Sequence, residues 1–338
     1  MAVGTETSVD HSKAAASYVQ GMLQRAGYPL PMSMSTFETK HACAGGTAAL
    51  LSTAAMLGFS GREGERALAI NSDIARYDAP STAEITQGSG AVALVVEKNP
   101  RLLELNLERQ GFFSSDVDDF YRPLGSVTAK VKGRYSVECY QEALQEAFLD
   151  YCSRADETPC QAIADIDYVA LHVPFAKMPE MAVRKMLETL CGYDEQGIDD
   201  FMERTAFLDA MYMSKEFGNL YTGSLYAYLA ALLAQEHAKL GDGIVGKKIL
   251  LASYGSGNTM IVYTAVIAPD APKVIASWDL DGIRGNTHKA DFDEYLRWLA
   301  RPKNPTEWRI LLQGAKPGPG RFYLKDFDEN GLRIYGRG

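Results

Sequence analysis

Hydrophobic and polar positions along the chain fall into alternating helical and extended periods. Residues 8–26 (SVDHSKAAASYVQGMLQRA) are Ala-rich, open with Ser8 and Asp10 and stop at Gly27, which are the start and stop signals of a helix. A second helix is predicted over roughly 46–57, entered through Cys43 to Thr47. The loop ARYDAPSTAEITQGSG then leads into the apolar run AVALVVE, a predicted strand. Further on, a helix is predicted over about 136–151, a strand over 166–171 (IDYVAL), helices near 179–191 and 221–238, and a strand over 248–254 (KILLASY). Between the halves, the acidic and aromatic stretch 110–135, with DVDDFYRPLG, reads as an excursion from the core sheet. AKPGPGRF (315–322) marks a loop, and FYLKDFDENGLRIYGR a terminal hairpin turning at Asn330 and Gly331. The rhythm is that of an α/β protein, and no short-period repeat interrupts it.

Composition narrows the class. With 46% hydrophobic and 23% charged residues over 338 positions, the chain can bury a large core as one large domain or two packed halves. The 34 Lys and Arg against 43 Asp and Glu give a net charge of -9, which argues against a general affinity for nucleic acid or an anionic membrane. An anionic ligand must therefore be held by local cations or helix N-termini. No apolar run approaches the ~20 residues of a membrane span, and MAVGTETSVD lacks the order of a signal peptide, so the expected compartment is the cytoplasm. Cys43, Cys139, Cys152, Cys160 and Cys191 are odd in number and lack CxxC spacing; they read as free thiols, one of them a candidate nucleophile.

Four segments carry candidate chemistry, each with a plainer alternative. Cys43 lies in ETKHACAGGTAAL at a predicted loop-to-helix junction, where the helix N-terminus favours a thiolate and Gly45 and Gly46 permit a ligand close to backbone donors. The alternative is a small buried hydrophobe. His172 follows the strand DYVAL at the kind of strand end where α/β ligand sites collect, with Lys177 five residues on; the alternative is a structural or solvated histidine. Glu6 falls where a short strand hands over to a helix, and alone would be a helix N-terminal carboxylate. Gly255, Ser256 and Gly257 close a strand with a turn that can offer backbone donors, or is simply a tight turn.

Taken together, Glu6 in GTETSVD, Cys43 in HACAGGTAAL, Tyr77 in SDIARY, TQGSGAVAL, FYRP, His172 in HVPFAKM, GNLYTGSLY and SYGSG resemble, in the same order over nearly the whole chain, 3-hydroxy-3-methylglutaryl-CoA (HMG-CoA) synthase. That resemblance implies a thiolase-like fold of two βαβαβ halves in an α/β/α/β/α sandwich, usually a homodimer. The expected organisation is an N-terminal half over 1–110 lacking its first elements, an excursion over 111–160, a C-terminal half over 161–270 and an extension over 271–338. The family begins further upstream, so the N-terminal half is expected to be truncated and to lack a central strand.

The resemblance also implies roles. Cys43 takes an acetyl group from acetyl-CoA, Glu6 is the general base that forms the enolate, and His172 polarises the carbonyl of acetoacetyl-CoA with help from Asn219. Backbone donors at Cys43, Gly255 and Ser256 stabilise the enolate, Tyr77 orients substrate, and Lys177 contacts CoA phosphate. No metal or redox cofactor is implied. Three departures stand out. Ala44 replaces the family's Tyr and is expected to open space beside the thiol, Ile85 replaces a Pro, and Lys132 reverses the charge of a family acid. Two further readings stay open: a β-branching synthase of polyketide assembly, docking an acyl carrier protein through Lys130, Lys132 and Arg134, and a non-catalytic thiolase-fold subunit.

Overall fold

The computed structural model describes residues 1–300, 302, 304–313 and 317–338. The first half comprises β1 (Ala2–Gly4), α1 (Ala15–Arg25), β2 (Phe37–Thr39), α2 (Gly45–Ser60), β3 (Ala67–Ala75) and β4 (Gly88–Val96). There follow β5 (Leu103–Ser114), β6 (Phe120–Tyr121), β7 (Lys130–Val131), α3 (Gly133–Ser153), α4 (Pro159–Ala164), β8 (Tyr168–Leu171), α5 (Lys177–Cys191), α6 (Glu195–Arg204) and α7 (Tyr212–Phe217). The second half closes with α8 (Ser224–Leu240), β9 (Lys248–Gly255) and β10 (Thr259–Ile267). Beyond it lie α9 (Ala271–Ala276), α10 (Leu280–Gly285), α11 (Phe292–Leu299), α12 (Pro305–Gln313) and the hairpin β11 (Phe322–Phe327) and β12 (Arg333–Arg337).

Two four-stranded sheets, ordered β2-β1-β3-β4 and β5-β10-β9-β8, form the frame. In each, a parallel pair (β1 with β3, β8 with β9) is followed by an antiparallel strand, β4 or β10. Alternation along β3 sends Leu68 and Ile70 into the cluster with Ala16, Val19 and Leu23 of α1, and Ala69 into the core with Leu50 and Leu57 of α2. The second sheet is covered likewise. Tyr168, in register with Ile249, reaches Glu236 of α8, whereas Tyr254, of opposite parity along β9, packs at a tilt against Tyr140 of α3. Tyr226 of α8 links Thr47 of α2 to Tyr263 of β10. The result is an α/β/α/β/α sandwich with α2 and α8 in the middle layer.

Several expectations are corrected here. The first sheet has no interior gap, because β1 pairs with β2 on one side and β3 on the other; its open edge is β4, whereas the corresponding edge of β10 is covered by β5. The stretch read as an excursion contains part of β5 and leads into α3, whose Tyr140, Leu144 and Phe148 are fully buried in the main core. Helix α1 begins at Ala15 rather than Ser8, since Asp10 Oδ1 accepts the amides of Ser12 and Lys13 and closes a turn before the helix. Ala42–Ser60 is long and apolar enough to match a membrane span by composition, contrary to the sequence reading; most of it is buried, as befits a helix apolar on every side. The terminal hairpin forms as predicted, and the five cysteines are unpaired. Of the predicted AKPGPGRF loop, residues 315 and 316 lie outside the described residues.

Candidate active site

Strand β1 ends at Gly4 against the first turn of α2, so closely that a Cβ on Gly4 would sit 2.4 Å from Gly46 Cα; glycine on both sides permits the approach. The contact brings the residues just beyond each terminus together. Cys43 Sγ donates to Glu6 Oε1 at 3.3 Å, and Arg122 Nη1 donates to Glu6 Oε2 at 3.1 Å. Both Glu6 and Cys43 are buried. The loop bearing Glu6 is fixed by Asp73 of β3, whose Oδ1 accepts from the Thr5 hydroxyl (2.8 Å), the Glu6 amide (2.9 Å), and the amide (3.0 Å) and hydroxyl (2.6 Å) of Thr7.

Burial decides the ionisation here. It pushes the Glu6 carboxyl up to about 7, against the opposing pull of Arg122 and with the added repulsion of Asp73. It also drives the Cys43 thiol well above its ordinary value, reinforced by the Glu6 charge, which corrects the expectation that the thiolate is favoured at rest. Cys43 precedes the N-cap Ala44, and desolvation outweighs the helix dipole at that position. Burial likewise lowers His172 to about 3, leaving it a neutral imidazole, and pushes the Tyr77 phenol up to about 12.

The other predicted residues surround this pair at varying distance. Tyr77 packs with Cys43, Ala75, Ala129 and Tyr221, and the rings of Tyr77, Tyr221 and Phe120 meet edge to face. Gly255 abuts the segment around the thiol: a Cβ there would lie 2.2 Å from the His41 carbonyl oxygen and 2.9 Å from Ala44 Cβ. Ala44 is itself fully buried, so the space expected beside the thiol is closed on that side by Gly255. Ser256 follows, half-buried. His172 stands at the end of β8, its amide on the Ala252 carbonyl at 2.9 Å and its carbonyl receiving the Tyr140 hydroxyl at 2.8 Å. Among the described residues it makes no hydrogen bond to Glu6 or Cys43. Asn219 is buried, its Oδ1 taken by the Tyr221 amide (2.8 Å) and the Ser224 hydroxyl (2.9 Å). Lys177, the first residue of α5, is exposed. Lys132 is exposed too, with Nζ 4.0 Å from Asp118.

Sequence reasoning missed four residues. Asp73 is described above. Arg122 and Asp119 lie in DDFYRP, where acid, aromatic and cation crowd together; that density was the available signal. Asp119 is fully buried and accepts from the Ser136 and Tyr254 hydroxyls and the Gly257 amide, each at 2.9 Å, tying α3 to the turn after β9. Tyr221 holds a left-handed backbone, φ 47°, and its buried hydroxyl has no well-aligned hydrogen-bond partner among the described residues. No group of three or more His, Cys, Asp and Glu among the described residues is arranged to hold a metal.

A thiol held against a carboxylate where two doubly covered sheets meet is the working arrangement of a thiolase-like, acyl-transferring condensing enzyme. Residues 1–100 match the family model described as Hydroxymethylglutaryl-coenzyme A synthase N terminal, and 105–197 and 198–337 match its C-terminal counterpart. The chain belongs to the hydroxymethylglutaryl-CoA synthase family. It is 35% identical over 262 residues to hydroxymethylglutaryl-CoA synthase of Enterococcus faecalis, covering 78% of this chain and 63% of that protein. To the mitochondrial enzyme of Bos taurus it is 29% identical over 391 residues, covering 99% and 74%. The solved structure of MvaS in complex with 3-hydroxy-3-methylglutaryl coenzyme A superposes with a TM-score of 0.85 at 34% identity, covering 100% of this chain and 81% of that one. The HMG synthase of the curacin biosynthetic pathway, solved with its holo donor-ACP, shares the fold with a TM-score of 0.84 at 24% identity, covering 100% and 82%.

Proposed function

We propose that the protein condenses acetyl-CoA with acetoacetyl-CoA and water to give HMG-CoA and CoA through an acetyl thioester on Cys43. The observation that carries this reading is the Glu6 carboxylate hydrogen-bonded to the buried Cys43 thiol. As the Cys43 sulfur attacks the acetyl carbonyl its proton leaves with the departing CoA sulfur, and Glu6, its acid raised to about 7, is the base that acts next. It then removes a proton from the acetyl methyl group. The enolate carbon attacks the ketone of acetoacetyl-CoA, and the alkoxide takes the same proton back from Glu6. Water cleaves the thioester to Cys43, freeing HMG-CoA as a carboxylate, restoring the thiol and releasing one proton to solvent.

His172 serves as a neutral hydrogen-bond donor to the ketone oxygen, in keeping with its burial. Asn219 contributes through its amide nitrogen, since its oxygen is engaged on Tyr221 and Ser224. The amides around Cys43, Gly255 and Ser256 face the developing enolate, and Tyr77 forms a wall of the site. Lys177 reaches a CoA phosphate from the exposed start of α5. The chemistry requires no metal or redox cofactor, because the thioester itself acidifies the methyl group.

We place the activity in the mevalonate route to isoprenoid precursors, in the cytoplasm and as a homodimer. The greater identity to the Enterococcus faecalis hydroxymethylglutaryl-CoA synthase than to the curacin enzyme favours CoA thioesters over a carrier protein as substrates. So does the state of the basic residues that would dock a carrier protein. Lys130 is paired with Asp78, Lys132 stands near Asp118 and Arg134 is paired with Glu138, which leaves no concentrated positive charge. The test is intact-protein mass spectrometry after brief exposure to acetyl-CoA. An acetyl adduct mapping to Cys43 and absent from Cys43→Ala is expected; a folded protein that takes acetyl only from a carrier protein would overturn the choice of donor. Glu6→Ala should retain the adduct and lose condensation.

A further inference from the structure

The cationic partner of Glu6, Arg122, comes from a part of the chain with no part in the chemistry described so far. Arg122 follows β6 in the segment joining the two halves, 116 residues from Glu6 in sequence. Its guanidinium is fixed on three sides. Nε donates to the Val127 carbonyl at 3.3 Å, the cation lies 5.5 Å from the centre of the Phe120 ring, and Nη1 holds Glu6 Oε2. Phe120 is in turn wedged edge to face against Tyr77 and Tyr221, the rings that wall the thiol. Arg122 keeps 27% of its side chain exposed while Glu6 keeps 2%, so the cation stays solvated at little cost and the carboxylate is held in the dry interior.

We propose that Arg122 is the positioning residue for the general base: it anchors one carboxylate oxygen of Glu6 so that the other stays aimed at the sulfur of Cys43 and at an acetyl group carried there. This rests on the reading of Glu6 as base. Among the described residues, the groups that favour the Glu6 charge are Arg122 and the Cys43 thiol. Asp73 of β3 repels it, and the phenols of Tyr77 and Tyr221 belong to the buried wall. A guanidinium suits the task because it remains charged at every working pH and its planar fork fixes direction as well as distance. Without the anchor the carboxylate can rotate off the sulfur, and its ionisation must be won against burial alone.

The test uses the full chain carrying Arg122→Gln or Arg122→Lys. Arg122→Gln is expected to form the Cys43 acetyl adduct at a rate within about threefold of wild type. Its condensation kcat near neutral pH should fall by about 10²-fold with KM for acetoacetyl-CoA little changed, the signature of a misplaced base. The acidic limb of its pH profile should move upward by about one unit, and Arg122→Lys should recover most of both losses. Wild-type kcat and limb in a folded Arg122→Gln would overturn the proposal, as would equal losses in both variants without movement of the limb. A second measurement is independent of turnover. The stability increment from Glu6→Gln at pH 8, taken by urea unfolding, should be larger in the Arg122→Gln background than in wild type, and equal increments would also overturn the clamp. A wild-type chain that fails to condense the two thioesters would sink the functional reading while leaving this second comparison to decide on Arg122.

Discussion

Asp73 and Thr222, 149 residues apart, are joined by two hydrogen bonds: Asp73 Oδ2 accepts the Thr222 amide at 3.1 Å and its hydroxyl at 2.5 Å. The other oxygen of the same carboxylate holds the loop that presents Glu6. One buried acid thus locks the Glu6 loop to the turn bearing Asn219 and Tyr221.

Replacing that acid by its amide removes acceptor capacity without changing shape. In Asp73→Asn the amide group turns a donor toward partners that are themselves donors, so at least one face of the network is lost. The expected outcome is a folded protein with condensation kcat reduced by about 10²-fold, because the base is displaced rather than removed. Steady-state kinetics with both thioesters, alongside circular dichroism, checks it; near-wild-type turnover would show that the Glu6 loop holds its shape unaided.

Glu6 costs the fold stability at neutral pH. Its carboxyl is raised from 4.5 to about 7, so the folded state binds the proton more tightly than the unfolded chain. The contribution is fully present below pH 4.5 and is lost as pH rises through about 7, an interval equivalent to about 3 kcal/mol. Glu6→Gln is therefore expected to be more stable than wild type above pH 7, by up to that amount, with the advantage vanishing near pH 4. Urea unfolding at the two pH values measures it.

His172 gives the opposite dependence. Its folded value is lowered from 6.5 to about 3, so the unfolded chain takes up the proton first and stability is lost as pH falls below 6.5. Between pH 7 and 5 the loss from this group is about 2 kcal/mol, and His172→Gln should be spared it. The same variant should keep the Cys43 adduct and raise KM for acetoacetyl-CoA. A His172 ring that titrates near 6.5 by NMR in the folded protein would contradict the stability expectation, and an unchanged KM the other.

Lys132 is an exposed residue at 4.0 Å from Asp118, and a pair of that kind contributes less than about 1 kcal/mol. Lys132→Asp is expected to change turnover by less than about threefold and leave the unfolding midpoint nearly unmoved. A large gain in turnover would mean that the reversed charge acts at a distance on the site.

What could be read from the sequence was whatever depends on local spacing. The helices α2, α3, α5 and α8 and the strands β4, β8 and β9 follow from their periodicity, and the family from the order of short segments around Glu6, Cys43 and His172. What could not be read depends on contacts between distant residues. Asp73 sits in the quoted segment SDIARY, yet its six donors come from residues 5 to 7 and 222, far away in sequence. Arg122 appeared in FYRP with nothing to say which carboxylate it meets. The thiolate expectation for Cys43 failed for the same reason: helix position is local, whereas burial and the charge of Glu6 are supplied by the rest of the fold.

The contact of Gly4 with Gly46 has a consequence for how this site can diversify. Cys43 and Glu6 are spaced by main chain touching main chain at Gly4 and Gly46, with no side chain between these two glycines that mutation could trim or repack. Their separation is in effect a constant of the architecture. Change at the neighbouring walls, at positions such as Ala44, Tyr77 and Arg122, can reshape the space around the pair without altering that separation.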